Sequence, residues 1–135
     1  MNEQQRNFLK QLLATPSPSG DEASISRVWR EEARAFADDV RADVRGNSFA
    51  ILRGDVPRVL LAGHIDEIGV MVSYIDDDGF LFFSAVGGWD QQVLVGQRIR
   101  LLGKKGEVIG VVGKKPIHLM EEDERKKVSE IKNLW

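Results

Sequence analysis

The spacing of apolar residues changes near Glu67, and this change constrains the fold of the 135-residue sequence more than any other feature. Up to that point the apolar residues recur first at helical spacing and then in the alternation that strands show. Beyond it follow short strand-like runs that turn residues separate at even intervals. We therefore predict an α/β segment over residues 1–66 and a segment rich in strands over residues 67–135, where the even spacing favours a small barrel or sandwich.

Two helices are predicted near the start of the chain. The first ends at Pro16 and Pro18, because proline cannot continue a helix. The sequence SGDE at residues 19–22 has the form of a capping box, in which the serine hydroxyl and the glutamate carboxylate bind the first free amides of a second helix. We favour this interpretation over the alternative, in which residues 17–21 form a binding loop. The apolar face of the second helix consists of Ile25, Val28, Trp29 and Phe36.

Strands follow these helices. Residues 40–45 alternate apolar and polar side chains, and a Gly-Asn pair then provides a turn into residues 48–52, which predicts two antiparallel strands. Residues 59–62, with the sequence VLLA, form a continuous apolar run instead. Such a run is typical of a strand that other elements cover on both faces in an α/β sheet. It leads directly into the sequence GHIDE at residues 63–67.

The rest of the chain is predicted to be mainly β. The sequences DDDG, GGWD and KKG supply turn residues between the predicted strands. The final stretch, residues 121–135, is charged and predicted to be helical, with Val128, Ile131 and Leu134 spaced three apart. The predicted strands lie at residues 68–75, 80–86, 97–102 and 107–112.

Charge and cysteine content exclude several classes of partner and site. The 19 Lys and Arg residues nearly balance 21 Asp and Glu residues, so the sequence has no basic footprint for nucleic acid or for an anionic membrane. The absence of cysteine excludes a disulfide framework, a thiolate zinc site and a thiol nucleophile. The apolar stretch near the N-terminus is too short and too polar for a signal peptide or a membrane span. We expect a cytoplasmic protein.

His64 and Asp66 are the best candidates for chemistry. They lie two residues apart, so their side chains share one face if the backbone is extended. A neutral imidazole can bind a divalent metal ion, and a neighbouring carboxylate can orient the ring by accepting its second N–H. Spacing alone leaves open a structural role for the histidine. A catalytic zinc site also needs about three protein ligands, which is more than this pair offers.

Three other motifs are better explained by structural roles. Residues 76–79, DDDG, lack the spaced acids and the terminal glutamate of a calcium loop, so a β-turn is the better interpretation. Residues 87–89, GGW, lack a nucleotide-binding spacing and fit a tight corner with an anchoring aromatic. Residues 114–118, KKPIH, could bring a cation near a ligand, but a solvated loop is the simpler interpretation. His118 is left without an assigned role.

The sequence LLAGHIDEIGVMVSYIDDDGFLFFSAVGGWDQQVLVGQRIRL at residues 60–101, followed by GEVIGVVGKKPIHLM at residues 106–120, closely resembles the N-terminal part of the M42 family of metallo-aminopeptidases. Members of this family are also called glutamyl aminopeptidases, deblocking aminopeptidases and, in older naming, endoglucanase M. The resemblance covers nearly the whole chain, because the SPSGDE loop at residues 17–22 and the strand pair at residues 39–52 also fit. The motifs HIDEIG, GGW and GVVG occur in the family's order.

The resemblance implies an α/β peptidase domain, to which residues 1–66 belong, and an inserted small β-barrel domain, of which residues 67–135 are an incomplete part. It implies that His64 binds one of two divalent metal ions, zinc or cobalt, and that Asp66 supports this ligand in catalysis. The remaining ligands and the general base belong to later segments of such proteins. Peptide substrates and large homo-oligomers are further expectations from the resemblance.

We therefore expect the chain to be the N-terminal portion of a metal-dependent aminopeptidase that removes N-terminal residues from peptides. The 135 residues alone are expected to be inactive and to bind metal weakly or not at all. The alternative, from a different class, is a non-catalytic assembly or binding module. Glycoside hydrolysis follows only from the older family name, and it requires two carboxylates about 5 to 10 Å apart across a sugar-binding cleft. Since the acids here cluster in predicted turns and helices, we rank this third.

Overall fold

The computed structural model describes residues 1–135 and combines three α-helices with six β-strands. The chain divides into two compact units, Met1–Glu67 and Ile68–Trp135. Their assignment to a peptidase domain and an inserted domain stays a prediction. None of the helices has the length and the apolar character that crossing a bilayer requires. The elements are α1 (Glu3–Ala14), α2 (Ala23–Ala33), β1 (Asp39–Ala42), β2 (Ser48–Ile51), β3 (Gly69–Ile75), β4 (Leu81–Val86), β5 (Arg98–Gly103), β6 (Gly106–Val111) and α3 (Glu122–Arg125), with 3₁₀ turns at Gln91–Val93, Ile117–Leu119 and Ile131–Asn133.

Both predicted helices form in the first unit. The Asn2 side chain caps α1 by accepting a hydrogen bond from a first-turn amide at 2.8 Å, and the helix ends before Pro16, as predicted. Helix α2 buries Ile25 and Ala33. Phe36 was expected on the same apolar face, but it lies beyond the end of α2 and is 59% exposed. That part of the prediction is wrong, because the helical spacing continues in the sequence after the helix itself has stopped.

The predicted strand pair is confirmed as the antiparallel sheet β1–β2, although the first strand ends at Ala42 and residues 43–45, predicted to belong to it, lie in the turn region. Gly46 adopts a φ of 90° in the connecting turn, a conformation that residues with a Cβ rarely adopt. Helix α2 packs against both strands. The Arg30 guanidinium links helix to sheet by donating a hydrogen bond to the Ser48 hydroxyl at 2.8 Å.

Residues 59–62, by contrast, form no strand. The side chains of Val59, Leu60 and Leu61 are 79%, 85% and 90% exposed. The prediction of a strand covered on both faces is therefore wrong for this structure. A strand forms only where a neighbouring backbone supplies hydrogen-bond partners, and the three sheets present are all two-stranded pairs of other segments.

The second unit contains two antiparallel hairpins, β3–β4 and β5–β6. Gly79 and Gly106, with φ angles of 87° and 122°, lie in their turns. All four strands lie where the sequence predicts them, to within one residue at each end. These residues do not show a barrel, because barrel closure requires each strand to pair on both sides and the two hairpins pair only internally.

A small apolar core holds the second unit together. Trp89, from the GGWD corner, packs against this core and donates its indole N–H to the Gly69 carbonyl at 2.7 Å. The predicted tight corner with an anchoring aromatic is therefore confirmed. The buried core residues are Phe83, Leu94, Val112 and Leu134.

Residues 121–135 form only the single turn of α3 and a 3₁₀ turn, so the predicted helix is mostly wrong. Leu134 is fully buried in the core. Trp135 exchanges two backbone hydrogen bonds with Gly113, at 2.7 and 3.2 Å, and Lys114 pairs with Leu134 as an isolated antiparallel bridge. Burial and backbone pairing of this end of the chain therefore override its local helix propensity.

Candidate functional site

The loop after α1 is fastened to the segment that carries the predicted site residues. The Glu67 amide donates to the Ser17 carbonyl at 2.9 Å, and the Ser17 amide donates to Oε1 of Glu67, also at 2.9 Å. The Ser19 amide donates to the Glu67 carbonyl at 3.2 Å. Pro16 and Pro18 exclude a helix here, and the extended loop pairs with Glu67 as a short parallel bridge.

The Ser19 side chain is bound to this site and not to helix α2. Its hydroxyl donates to Oδ2 of Asp66 at 2.5 Å. Glu22, the residue before α2, makes no side-chain capping bond, and its carboxylate accepts instead from the Gly20 amide at 2.6 Å. The predicted capping box is therefore wrong. The pairing with Glu67 brings the serine beside a carboxylate, where its hydroxyl makes a charge-assisted hydrogen bond.

His64 and Asp66 lie in direct contact. His64 Nδ1 is 3.0 Å from Oδ1 of Asp66 and 3.1 Å from the Asp66 carbonyl oxygen. Because both oxygens are acceptors, we assign the proton of the neutral ring to Nδ1. The histidine side chain is otherwise 85% exposed, and Nε2 makes no hydrogen bond. This nitrogen is therefore available to an external ligand.

Two hydrogen bonds favour the ionised form of Asp66. The Ser19 hydroxyl makes the larger contribution and the His64 ring the second, and they hold the pKa of the Asp66 carboxyl below its ordinary value. Partial burial acts in the opposite direction, but to a smaller extent. Each carboxylate oxygen accepts one of the two side-chain bonds.

The pair fits one ligand position of a metal site. A metal-binding histidine usually donates its other ring N–H to a carboxylate, which fixes the tautomer and the ring orientation, and His64 and Asp66 have this arrangement. A catalytic zinc ion takes about three protein ligands. The structure assembles no group of three His, Asp or Glu side chains that could hold a metal ion. His64 and Asp66 therefore supply one metal donor and the carboxylate that orients it.

Two other sequence candidates have no such arrangement. Oδ1 of Asp76 accepts hydrogen bonds from the amides of Asp78 and Phe80, at 3.1 and 2.8 Å, so the DDDG motif closes the β3–β4 turn as predicted. His118 lies in the 3₁₀ turn Ile117–Leu119 and forms neither a hydrogen bond nor an ion pair through its ring. The second histidine thus offers a natural control for the first.

Ser19 is the residue that the sequence interpretation missed. Its partner, Asp66, is 47 residues away along the chain, and no local pattern connects two positions so far apart. The loop alternative for residues 17–21 pointed to the correct segment, although the capping interpretation was preferred. The two prolines were the available signal, because they indicate an extended loop that must find hydrogen-bond partners elsewhere.

Residues 46–135 match the model of a family described as M42 glutamyl aminopeptidase. Among curated proteins, the lysyl aminopeptidase of Pyrococcus furiosus is similar. It is 39% identical over 116 residues, which cover 85% of this chain and 34% of the relative. The chain thus spans about a third of the length of this relative.

Solved structures are similar along almost the whole chain. The TET aminopeptidase from the marine sediment archaeon Thaumarchaeota archaeon SCGC AB-539-E09 has a TM-score of 0.93 and 39% identity, over 98% of this chain and 37% of that one. The TET1 peptidase of Pyrococcus horikoshii, which can assemble into a tetrahedron or a large octahedral shell, has a TM-score of 0.80 and 35% identity. That match covers 96% of this chain and 38% of the TET1 chain.

Proposed function

Because this chain belongs to the M42 glutamyl aminopeptidase family, we propose that it supplies part of a metal-dependent aminopeptidase centre, in which His64 is a metal ligand and Asp66 orients it. The observation that carries this proposal is the 3.0 Å contact between His64 Nδ1 and Asp66 Oδ1, which leaves Nε2 exposed. The whole enzyme would remove N-terminal residues from peptides, the activity for which the similar Pyrococcus furiosus protein is named.

The proposed chemistry uses two divalent metal ions, zinc or cobalt. When bound, such ions supply Lewis-acid activation of the peptide carbonyl and of water. This chain's own contribution is to present one donor in the correct tautomer. Asp66 holds the ring proton on Nδ1, so Nε2 keeps its lone pair. The charge of Asp66 also makes the ring a better donor toward a cation.

We also propose that the two units belong to different domains of the whole protein. Met1–Glu67 would belong to the α/β peptidase domain and Ile68–Trp135 to a β-barrel inserted into it. The division of the chain after Glu67 and the change from helices with a sheet to hairpins support this assignment. Each hairpin has unpaired outer edges, to which the remaining strands of a barrel would add.

Zinc titration of the ¹⁵N-labelled chain, followed by NMR of the histidine rings, tests the ligand role. We expect Zn²⁺ to perturb the ring nitrogens of His64 and not those of His118. Affinity should be weak, since one donor is fewer than the three of a tight site. His64→Ala should remove the binding, and the matched control His118→Ala should retain it. Binding that survives His64→Ala contradicts the proposal.

Activity measurements test the wider proposal. The 135-residue chain should leave aminoacyl reporter substrates intact in the presence of Zn²⁺ or Co²⁺, because it assembles no group of three metal-binding side chains. A hybrid enzyme, in which this chain replaces the matching segment of the Pyrococcus furiosus lysyl aminopeptidase, should show metal-dependent turnover. His64→Ala should abolish the hybrid's turnover and His118→Ala should not. Robust turnover by the 135 residues alone would show that the site is already complete.

A second candidate function is assembly through the apolar segment, which we define as residues 59–62. Three of its four side chains are at least 79% exposed, and its backbone pairs with no strand. Exposed apolar segments with free backbone groups tend to associate with other chains. We propose that a second copy of this chain covers the segment, in keeping with the assemblies of the similar TET1 peptidase. Light scattering should then detect oligomers, and a clean monomer at high concentration would contradict this function.

A further inference from the structure

The Ser19 hydroxyl links the loop after α1 to the predicted ligand pair. It donates to Oδ2 of Asp66 at 2.5 Å, while Oδ1 of the same carboxylate lies 3.0 Å from His64 Nδ1. Each oxygen of Asp66 therefore has its own side-chain partner. Serine, aspartate and histidine form a chain of hydrogen bonds that ends at the imidazole ring, where Nε2 is exposed.

The His64 ring depends on hydrogen bonds for its orientation because its side chain is 85% exposed, whereas the Asp66 side chain, at 35% exposure, is partly buried. The terminal torsion of an aspartate is broad, so a carboxylate held through one oxygen can turn and exchange its oxygens. A second hydrogen bond, on the other oxygen, removes this freedom.

The position of the loop does not depend on the Ser19 hydroxyl. Three hydrogen bonds to Glu67 hold the loop, two through Ser17 and one through the Ser19 amide. Ser17 is also buried, at 3% exposure. Removal of the hydroxyl should therefore free Asp66 and leave the loop in place. This difference separates a role in positioning the site from a role in folding.

We propose that Ser19 is a positioning residue for the metal ligand: its hydroxyl holds Asp66 in the orientation that keeps the proton of His64 on Nδ1 and leaves Nε2 as the donor. The part of this inference that concerns metal rests on the proposed function. The effect on the histidine ring does not, since it follows from contacts within the chain. Ser19 thus acts through Asp66 and is not itself a ligand.

The tautomer of His64 in the 135-residue chain tests this inference without metal. At a pH where the ring is neutral, ¹⁵N shifts of the imidazole distinguish the Nδ1–H form from the Nε2–H form. We expect the Nδ1–H form to dominate in the wild-type chain and to fall in population in Ser19→Ala, where the Asp66 carbonyl is the acceptor that remains fixed beside Nδ1. Ser19→Thr retains a hydroxyl and should restore it. Ser24→Ala removes an exposed serine of α2 and should behave as wild type.

Zinc affinity provides a second measurement on the same variants. We expect Ser19→Ala to weaken Zn²⁺ binding at His64 by about tenfold, the lower range for residues that support a ligand, and Ser19→Thr to recover it. Amide shifts of Ser17 and Glu67 should not change in Ser19→Ala. If these amide shifts do change, the His64 tautomer is compared between the wild-type chain and Ser19→Thr instead. The same tautomer in both chains supports the positioning role of the hydroxyl.

The outcomes separate this inference from the proposed function. A wild-type ring that carries its proton mainly on Nε2 overturns the positioning role, and so does an unchanged tautomer in a folded Ser19→Ala chain, even if zinc still binds at His64. If the tautomer responds as expected but zinc binds at His64 in none of the chains, the positioning role is supported and the ligand role is contradicted.

Discussion

His64 is a candidate functional residue on which the fold does not depend. Its side chain is 85% exposed, and its only side-chain partner is Asp66. Without the imidazole, Asp66 retains the Ser19 hydroxyl and gains contact with water. No buried polar group would lose its partner, which is the usual cause of a large loss of stability when a hydrogen bond is removed.

His64→Ala is therefore expected to change the free energy of unfolding by no more than about 0.5 kcal/mol, the range for surface substitutions. Urea denaturation measures this change. Leu134→Ala is a suitable control, since Leu134 is 0% exposed and its truncation should cost about 2–5 kcal/mol. A loss of roughly 1–3 kcal/mol in His64→Ala would instead identify a structural histidine.

The β1–β2 hairpin depends on a carboxylate in its turn. Oδ1 of Asp43 accepts hydrogen bonds from the amides of Arg45 and Asn47, at 2.9 and 3.0 Å. Oδ2 accepts from the side-chain amide of Asn47 at 2.8 Å. These bonds, with that of the Asn47 side chain the largest contribution, hold the pKa of Asp43 below its ordinary value.

Acid is therefore expected to weaken the β1–β2 turn. Because the pKa of Asp43 is lower in the folded chain, its carboxylate adds stability above the ordinary value of about 3.9. This contribution is lost as the pH falls through the folded-state pKa. NMR titration of the Arg45 and Asn47 amides should give a midpoint below about 3.9. Asn47→Ala should raise it and Asn7→Ala, in α1, should not. A wild-type midpoint at the ordinary value would contradict this role.

The molecule as a whole buries little apolar surface. Six hydrophobic residues are buried, whereas 26 large hydrophobic side chains are exposed, so the surface resembles that of a chain that associates with others. The apolar segment has three consecutive exposed apolar side chains, and its sequence predicts that they are buried. We therefore expect a second copy of the chain to make contact there.

Leu60→Lys should shift the chain toward the monomer. Leu60 is 85% exposed, so a lysine there costs the monomer little, but its charge opposes burial against a second copy. Leu13→Lys, at a 74% exposed position of α1, is the matched control and should leave association unchanged. Sedimentation of the two variants, with far-UV circular dichroism to monitor folding, distinguishes them. Equal association in both would exclude the apolar segment as the contact.

The sequence by itself determined those features that depend on residues a few positions apart. Proline ends α1, glycine residues of positive φ turn three hairpins, and Trp89 anchors the corner that GGWD predicts. The contact between His64 and Asp66 also belongs to this class, since a spacing of two residues brings the side chains together wherever the backbone is extended. Local sterics and hydrogen bonding decide all of these features, and both can be inferred from a short stretch of sequence.

Only the tertiary structure decided which distant segments meet. The Ser19 hydroxyl binds Asp66 across 47 residues, and Leu134 enters the core where local propensity predicts a helix. Residues 59–62, for which the sequence predicts a covered strand, remain exposed. A side-chain pattern indicates that a segment needs a hydrogen-bond partner or must be buried. The path of the chain between distant segments determines which backbone, carboxylate or apolar surface lies beside it.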